Sequence, residues 1–308
     1  MRHPTALEKK ALKTSRPSAL RATYAGDRLY TGGPAPAELR RPLLRWYGRS
    51  ARDLPWRRTR DPYAVLVSEV MLQQTGVSRV IPAYTAFLRR FPSLSALSGA
   101  ALADVLRAWA GLGYNRRARD LHRIARLHPR RLPATRDGLD ALPGVGAYTA
   151  GAVTCFSRGE SVAFADTNVR RVLGRALLGR IATEREAVAL DERLVPRTGA
   201  DRWHHALMDL GATVCHSSAP RCDVCPIAAV CRSRGRAVPP APRRQAAFMT
   251  SDRRVRGRIV AALRDAPNGL EPAELRRAIG DGRVSRLTLA LERDGLAVHR
   301  GGRVRLPD

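Results

Sequence analysis

Four cysteines towards the C-terminal end of the chain have a spacing typical of a metal site. They are Cys215, Cys222, Cys225 and Cys231, in the pattern C-x6-C-x2-C-x5-C. Thiolates are soft ligands, and four of them within one short loop can hold either a tetrahedral zinc ion or a cubane iron–sulfur cluster. Zinc sites usually combine two close cysteine pairs, whereas only Cys222 and Cys225 are close here, so the spacing favours the cluster. A zinc site and cysteines without a ligand are the two alternatives.

Two carboxylates have sequence contexts that suit acid–base chemistry. Glu69 is flanked at helical spacing by apolar residues such as Val65 and Leu72. Because such neighbours disfavour an anion, the pKa of Glu69 should rise, and the residue could stay protonated as a general acid. Asp166 directly precedes a predicted helix at Thr167, where helix N–H groups and the dipole favour the ionised form. The pair fits a proton donor and a charge stabiliser, with a helix-edge Glu and an ordinary N-cap Asp as the alternatives.

The charge of the chain favours a nucleic-acid partner. Its 308 residues carry a formal net charge of +28, and no lysine follows Lys9, Lys10 and Lys13, so the remaining positive charge belongs to arginine. Arginine forks suit phosphates, and a field this positive draws a polyanion to the surface. No apolar run approaches membrane-spanning length, and the basic N-terminus lacks the apolar core of a secretory signal. Five cysteines outside a secretory context fit a reducing interior, so we expect a cytoplasmic protein.

The body of the chain is predicted to be a series of helices separated by proline and glycine clusters. Asp61 and Pro62 supply an N-cap and a first-turn proline for the helix that carries Glu69. Further helices are predicted over residues 38–50, 77–91, 100–110, 116–127, 147–156, 167–178, 184–195 and 202–214. After a proline-rich stretch, helices over 252–264, 272–279 and 283–293 precede two short strands joined by Gly301 and Gly302. That order is typical of a winged helix.

A glycine-containing turn between two helices could bind DNA without reading its sequence. The turn contains Leu142, Gly144, Val145 and Gly146, and it leads into the helix that begins at Ala147. Glycine permits a tight turn whose backbone N–H groups, together with the helix N-terminus, can cradle a phosphate. This is the pattern of a helix-hairpin-helix, and a plain inter-helix turn is the alternative.

Several motifs of the chain, in a fixed order, resemble those of the adenine DNA glycosylases of the MutY type. That family lies within the helix-hairpin-helix glycosylase superfamily, which also contains endonuclease III and the thymine-mismatch glycosylases. The resemblance extends from about residue 39 to about residue 232. Its motifs are LPWR from Leu54, SEVMLQQT from Ser68, GLGY from Gly111, the hairpin at 142–146, DTNVRRV from Asp166 and the cysteine loop. The resemblance implies a [4Fe-4S] cluster on the four cysteines.

The resemblance also implies catalytic roles for matching positions. Glu69 would protonate N7 of adenine, and Asp166 would stabilise the oxocarbenium-like sugar and then help water to attack it. Tyr148 would stand beside the sugar, and Asn168 would support Asp166. The acid and anion roles agree with those that the residues themselves suggest.

Four further positions would contact the bases. Trp56 and Arg57 would touch the flipped adenine, which must leave the duplex because its glycosidic carbon cannot be approached inside the stack. Gln74 and Tyr114 would enter the duplex where the adenine leaves and would touch the opposite base.

The implied fold class is all-α, a two-domain helix-hairpin-helix glycosylase with a small C-terminal winged helix. The expected divisions are a basic tail (1–37), an iron–sulfur cluster domain (38–62 and 167–236), a six-helix barrel (63–166), a linker (237–250) and a winged-helix-like domain (251–308). The family usually carries a NUDIX-like domain that helps recognise 8-oxoguanine, and residues 251–308 are too few for one. We expect this tail to hold phosphates without reading bases, through Arg283, Arg286, Arg300 and Arg303.

The expected activity is that of a monofunctional DNA glycosylase in base excision repair. It would act as a monomer, associated with the nucleoid, on double-stranded DNA containing A:8-oxoG or A:G mispairs. The alternatives are a thymine (G:T) mismatch glycosylase, which can share the tyrosine and the aspartate, and a non-catalytic iron–sulfur DNA sensor. Gln73 and Gln74 after Glu69 favour adenine, and the presence of Glu69 together with Asp166 argues against a sensor.

Base release should leave the DNA strand intact. In the endonuclease III branch, the second position after the last glycine of the hairpin is the lysine that attacks the sugar, whereas here it is Tyr148. No lysine follows Lys13, so the matched core has no side-chain amine for a Schiff base. We expect a product strand that breaks only after alkali or heat. Borohydride trapping of a protein–DNA adduct, at the level of a true lyase run in parallel, would contradict this prediction.

Overall fold

The computed structural model of the chain describes residues 33–236 and 248–308. Within those ranges the fold is mostly helical, with one two-stranded antiparallel sheet, which confirms the predicted all-α class. Most of the predicted N-terminal tail, up to residue 32, and residues 237–247 of the predicted linker lie outside the described residues. None of the described helices combines the length and the apolar character needed to cross a bilayer.

The helices of the first described range lie close to their predicted positions. In chain order they are α1 (Pro36–Ser50), α2 (Pro62–Leu72), α3 (Val77–Arg90), α4 (Leu94–Ser98), α5 (Leu102–Ala108), α6 (Arg116–Leu127), α7 (Arg136–Asp140), α8 (Ala147–Arg158), α9 (Thr167–Leu173), α10 (Glu184–Leu194) and α11 (Ala200–Thr213). The short helices α4 and α7 were not predicted. Each spans little more than one turn and begins at a capping side chain, Ser93 or Thr135, so apolar periodicity could not indicate it.

The helix predicted over 167–178 is α-helical only as far as Leu173. A π-helical turn, Gly174–Leu178, continues it. A Cβ atom at Gly174 would lie 2.3 Å from the backbone nitrogen of Ala182, so the chain here leaves room only for glycine. The contact between Gly174 and Ala182 does not follow the spacing of a regular helix, so the apolar periodicity could not predict the π-helical turn.

The second described range forms a compact C-terminal unit. It contains α12 (Asp252–Arg264), α13 (Pro272–Ile279), α14 (Val284–Arg293), β1 (Val298–Arg300) and β2 (Arg303–Arg305). The strands pair in antiparallel register, with Val298 opposite Arg305. The order agrees with a winged helix.

Buried apolar residues form two clusters. One contains residues 54–164 together with Ala200 and residues 255–306, and the other combines Leu39 and Leu43 with residues 165–227. The C-terminal unit therefore shares buried contacts with the barrel helices, and Arg264 Nε donates a hydrogen bond to the Leu106 carbonyl oxygen at 2.8 Å. The division into domains stays a prediction.

A buried carboxylate connects the elements that lead to Asp166. Asp191, on α10, accepts hydrogen bonds from Trp203 Nε1–H at 2.7 Å and from His204 Nε2–H at 2.7 Å, both on α11. It also accepts the backbone N–H of Phe164 at 3.2 Å. Asp191, Trp203 and His204 are fully buried, so none of these groups can turn to water instead.

Replacing this carboxylate should destabilise the fold. Asp191→Asn presents an N–H group to at least one donor and should lower the free energy of unfolding by about 3 kcal/mol, because a buried donor loses its acceptor. Chemical denaturation measures this change. Glu192→Gln, at the neighbouring exposed position of α10, is the control and should stay within about 0.5 kcal/mol of the parent. Equal effects of the two substitutions would show that the buried network is dispensable.

Candidate active site

Six of the predicted site residues line one cavity between the two apolar clusters. The cavity lies where α2, α8 and the N-terminus of α9 meet, and α8 packs against α2. The predicted residues that line it are Trp56, Arg57, Glu69, Tyr148, Asp166 and Asn168. Positions separated by about a third of the chain thus share one space.

Glu69 is placed to keep a proton near neutral pH. It lies on the third turn of α2 and is only 5% exposed. The pKa of Glu69 is raised to about 7, chiefly by burial and in part by the nearby Asp166 carboxylate, while a hydrogen bond with Tyr148 and the charge of Arg57 oppose the shift. The carboxyl group is thus available both as an acid and as a base at neutral pH, as its apolar sequence context predicted.

Asp166 caps α9 as predicted, but burial changes its ionisation in the opposite direction. Its carboxylate accepts the Val169 backbone N–H and the Asn168 Nδ2–H, each at 2.7 Å. These bonds favour the anion, yet burial outweighs them and raises the pKa of Asp166. The hydrogen bonds at the helix N-terminus favour the anion as predicted, whereas the opposing effect of burial depends on the tertiary structure and could not be inferred from the sequence.

Asn168 is held in place from two sides. Its Oδ1 accepts a hydrogen bond from the Arg171 guanidinium at 2.7 Å, while its Nδ2–H group donates to Asp166. A Cβ atom at Gly211 would lie 2.5 Å from the Asn168 Cβ. Glycine on α11 therefore provides the space that lets Asn168 reach Asp166.

Arg57 has most of its guanidinium occupied. Both terminal nitrogens donate to the fully buried Asp209 carboxylate, at 2.8 and 2.7 Å, and one also donates to the Arg52 carbonyl oxygen at 3.1 Å. The Nε–H group, by contrast, is buried and has no hydrogen-bond partner among the described residues. The contact of Arg57 with the flipped adenine stays a prediction, since its terminal nitrogens are occupied by Asp209 and Arg52. Trp56 packs edge-on against Tyr84, with ring centroids 5.6 Å apart.

Sequence reasoning missed His205 and Asp209, which α11 presents to the same region. The His205 ring lines the cavity and stacks on Phe156, with centroids 4.3 Å apart. Burial, aided by the charge of Arg57, holds the pKa of His205 well below its ordinary value, so the ring is neutral near pH 7. The i, i+4 spacing of these two residues on one helix was a signal that could have found them.

Gln74 and Tyr114 lie together in a groove beside the cavity. They are the non-glycine residues with positive φ in the described parts of the chain, at 59° and 46°. Such conformations cost on the order of 1–3 kcal/mol each and persist only where surrounding contacts enforce them. Both line the groove, and Gln73 lines the groove and the cavity alike.

Arg117 supplies those contacts, and the sequence did not suggest it. Its buried guanidinium donates to carbonyl oxygens at the end of α2, including Met71 at 2.9 Å, and to Leu112 at 3.1 Å before Tyr114. It also donates to Gln73 O and lies 5.4 Å from the Tyr114 ring centroid. Burial lowers the pKa of Arg117 to about 10, so it remains a cation near neutral pH. One side chain thus ties the two strained segments together.

The hairpin has the predicted turn, but its first residue is not on the surface. Gly144 has φ of 72°, and the Val145 N–H donates to the Leu142 carbonyl oxygen at 3.2 Å. Leu142 is 4% exposed and its side chain packs in the first apolar cluster, while the contact of its backbone with DNA stays a prediction. It anchors a turn in which Gly144 and Gly146 are exposed and can approach a phosphate.

The four cysteines surround a single apolar cavity in the second cluster. Cys215, Cys222, Cys225 and Cys231 all line it, and the guanidinium of Arg175 donates to the Cys215 sulfur at 3.5 Å. In the described part of the chain, no three His, Cys, Asp or Glu side chains are close enough to chelate one metal ion. A tetrahedral zinc ion needs all four sulfurs about 2.3 Å away from it, whereas a cubane offers each sulfur a separate iron. The four cysteines thus line one space, as a four-thiolate group requires.

Comparisons with known proteins show the family to which the chain belongs. Residues 67–197 match the model of the HhH-GPD superfamily base excision DNA repair proteins. The chain is 47% identical over 246 residues to an adenine DNA glycosylase of Mycobacterium tuberculosis (strain CDC 1551 / Oshkosh), covering 76% of this chain and 81% of that protein. It is 45% identical over 243 residues to that of Mycolicibacterium smegmatis, covering 76% and 83%. The chain belongs to the adenine DNA glycosylase family.

Solved structures agree with the fold of this family member. A thermostable thymine-DNA glycosylase matches with a TM-score of 0.59 at 29% sequence identity, covering 63% of this chain and 94% of that one.

The activity of this family member should decline as the pH rises above neutrality. Glu69 must be protonated to act as an acid, and its pKa of about 7 means that the protonated fraction is high below that pH and is lost above it. We expect kcat/KM for base release to fall about tenfold per pH unit on the alkaline side. A pH profile of kcat/KM measures this, with duplex affinity followed at each pH by fluorescence anisotropy.

Glu69→Gln provides the control for that profile. It should remove base release at every pH, by roughly 10²–10⁴-fold or more, while duplex affinity stays nearly unchanged. A Glu69→Gln variant with near-wild-type single-turnover rates, or a wild-type profile that stays flat to high pH, would assign the proton to another group.

Proposed function

We propose that the chain is a monofunctional adenine DNA glycosylase of base excision repair, which flips adenine out of a mispair and hydrolyses its glycosidic bond. The observation that carries this proposal is the buried Glu69 carboxyl, with a pKa of about 7, in the same cavity as Asp166. Family membership supports the same reaction. The cavity lies between two apolar clusters, where a flipped base would be removed from water.

Proton transfer from Glu69 would start the reaction. Protonation of adenine N7 lets the bond between N9 and the sugar carbon break, with its electrons moving to the base, so neutral adenine leaves. The positive charge on the sugar is then stabilised by Asp166, whose orientation is set by Asn168 and the Val169 N–H. Water attacks the sugar carbon and gives its proton to Asp166. Tyr148, hydrogen-bonded to Glu69, would hold the acid in its orientation.

Recognition of adenine would use donors and acceptors that already line the cavity. The Arg57 side chain lines the cavity, and the neutral His205 ring can present an acceptor nitrogen there. Gln73 approaches Thr149, with its amide nitrogen 3.5 Å from the hydroxyl oxygen, and lines the same cavity. Trp56 would provide the apolar wall against which a base ring packs.

The DNA partner would be duplex DNA containing A:8-oxoG or A:G, bound by a monomer in the nucleoid. Gly144 and Gly146 of the hairpin would hold a phosphate, and the arginine-rich surface would supply the general attraction. Gln74 and Tyr114 would fill the space from which adenine departs, because both line the groove next to the base cavity.

A panel of duplexes that differ at one pair tests this function. We expect adenine release from A:8-oxoG first, then A:G, and little from A:T or G:T. The abasic product is scored after alkali in single-turnover reactions. Thymine release from G:T in preference to adenine would identify a thymine-mismatch enzyme. Tight binding without any base release would identify a non-catalytic sensor.

We also propose a [4Fe-4S] cluster on Cys215, Cys222, Cys225 and Cys231. The common cavity, its apolar lining and the cation of Arg175 beside one thiolate support this assignment. When bound, the cluster would cross-link the loop that follows α11, and its closed four-cysteine shell leaves no open position for substrate. Its role would therefore be structural.

Metal analysis tests the cluster directly. Purified protein should be brown and contain about four irons per chain, because a cubane needs four. Cys222→Ala should lower both the iron content and the visible absorption. Cys155→Ala should keep both, because Cys155 lies in the barrel cluster and does not line the cysteine cavity. Stoichiometric zinc without a visible charge-transfer band would contradict the proposal.

A further inference from the structure

The C-terminal unit contacts Tyr114 directly. Arg253, in the first turn of α12, donates a hydrogen bond to the Tyr114 hydroxyl oxygen at 2.6 Å. The same guanidinium lies 5.4 Å from the Tyr114 ring centroid and 5.2 Å from that of Phe248. Arg117, Tyr114, Arg253 and Phe248 therefore form a continuous row of neighbouring cations and rings. Two of its members come from the barrel and two from the C-terminal unit.

This row ends in an exposed apolar surface. Tyr114 is 38% exposed, Phe248 53% and Met249 61%, and the described residues contain only three other exposed large hydrophobic side chains. Tyr114 and Phe248 line the same groove as Gln74, together with several arginines. Exposed rings beside cations suit nucleobases, because every base has a face that can stack on an aromatic ring or a guanidinium.

The C-terminal unit is fixed against the barrel, so the row is preformed. Arg264 on α12 donates to the Leu106 carbonyl oxygen and to Asn115 Oδ1, both at 2.8 Å. Asp294, after α14, accepts from Arg116 at 2.6 Å and from Arg256. These contacts flank Tyr114 in the sequence and hold Arg253 in reach of it.

The arginines that the sequence suggested for phosphate binding are arranged differently. Each pairs with an acidic side chain of the C-terminal unit itself, in the pairs Arg283–Asp281, Arg286–Asp252, Arg300–Asp308 and Arg303–Glu271. Arg253, by contrast, stacks between two rings in the groove. That these four arginines hold phosphates stays a prediction, and Arg253 is a further cation that lines the groove.

We propose that Arg253 and Phe248 form part of the binding site for the base opposite the excised adenine. This inference rests on the proposed function, because it takes Tyr114 as the residue that meets the opposite strand. Adenine itself would occupy the cavity of Glu69, and Gln73 separates that cavity from the groove. The ligand of the groove is a purine whose face stacks on Phe248 and whose carbonyl oxygens accept from Arg253. The C-terminal unit would thereby contribute base recognition as well as affinity.

Changing the opposite base and the protein together tests the proposal. Phe248→Ala and Arg253→Lys would be compared with the parent in single-turnover and affinity measurements. The three duplexes would carry adenine opposite 8-oxoguanine, guanine or a stable abasic analogue. Arg253→Lys keeps the charge but loses the planar stack and the fork. Each substitution should reduce affinity or rate about tenfold with 8-oxoguanine and leave the abasic duplex within about twofold, because only the former has a base to stack.

Arg300→Ala is the matched control. Arg300 is 73% exposed on β1, and its substitution should change all three duplexes equally. Equal losses on all duplexes with Phe248→Ala and Arg253→Lys, or no loss on any, would overturn the proposal. Unchanged melting temperatures establish that the variants fold. Failure of the proposed function would appear separately, as a parent enzyme that releases adenine from none of the duplexes.

Discussion

The proposed function places one constraint on the structure: the Glu69 carboxyl group must keep its proton near neutral pH and still meet a base from DNA. Burial satisfies the first requirement, since it raises the pKa of Glu69 to about 7. A cavity between two separately packed clusters satisfies the second, because it opens between them and not into either core. The N-cap of α2 at Asp61 and the packing of α8 on α2 then fix where the carboxyl group lies.

Helix α11 holds two of the cavity's lining residues, Arg57 and Asn168, in position. Asp209 binds Arg57 and Arg52, and although burial alone would raise its pKa, these cations hold the pKa of Asp209 below its ordinary value. Gly211 on the same helix leaves space for Asn168. A second support, Arg117, stabilises the strained backbone at Gln74 and Tyr114 with hydrogen bonds to the segments beside them. The backbone strain at Gln74 and Tyr114 is thus offset by the hydrogen bonds of Arg117.

Local sequence patterns indicated which residues line the candidate site, but they did not indicate the tertiary contacts around those residues. The N-cap at Asp61 and the apolar neighbours of Glu69 are short-range signals, and the helix and the raised pKa follow from them. The row formed by Arg253 and Tyr114 joins positions that are 139 residues apart, which no periodicity reveals. The same limit explains the π-helical turn at Gly174 and the direction of the shift at Asp166. Tertiary contacts decide the first two, and burial in the tertiary structure decides the third.

The central claim is that Glu69 releases the base by protonating adenine N7, and a substrate lacking that nitrogen tests it most directly. 7-Deazaadenine carries a carbon at that position, whereas 3-deazaadenine keeps N7 and serves as the matched control. With each analogue placed opposite 8-oxoguanine, the account predicts that both duplexes bind with similar affinity but that only 3-deazaadenine is released at a measurable single-turnover rate. Release of 7-deazaadenine at a rate close to that of adenine would contradict it.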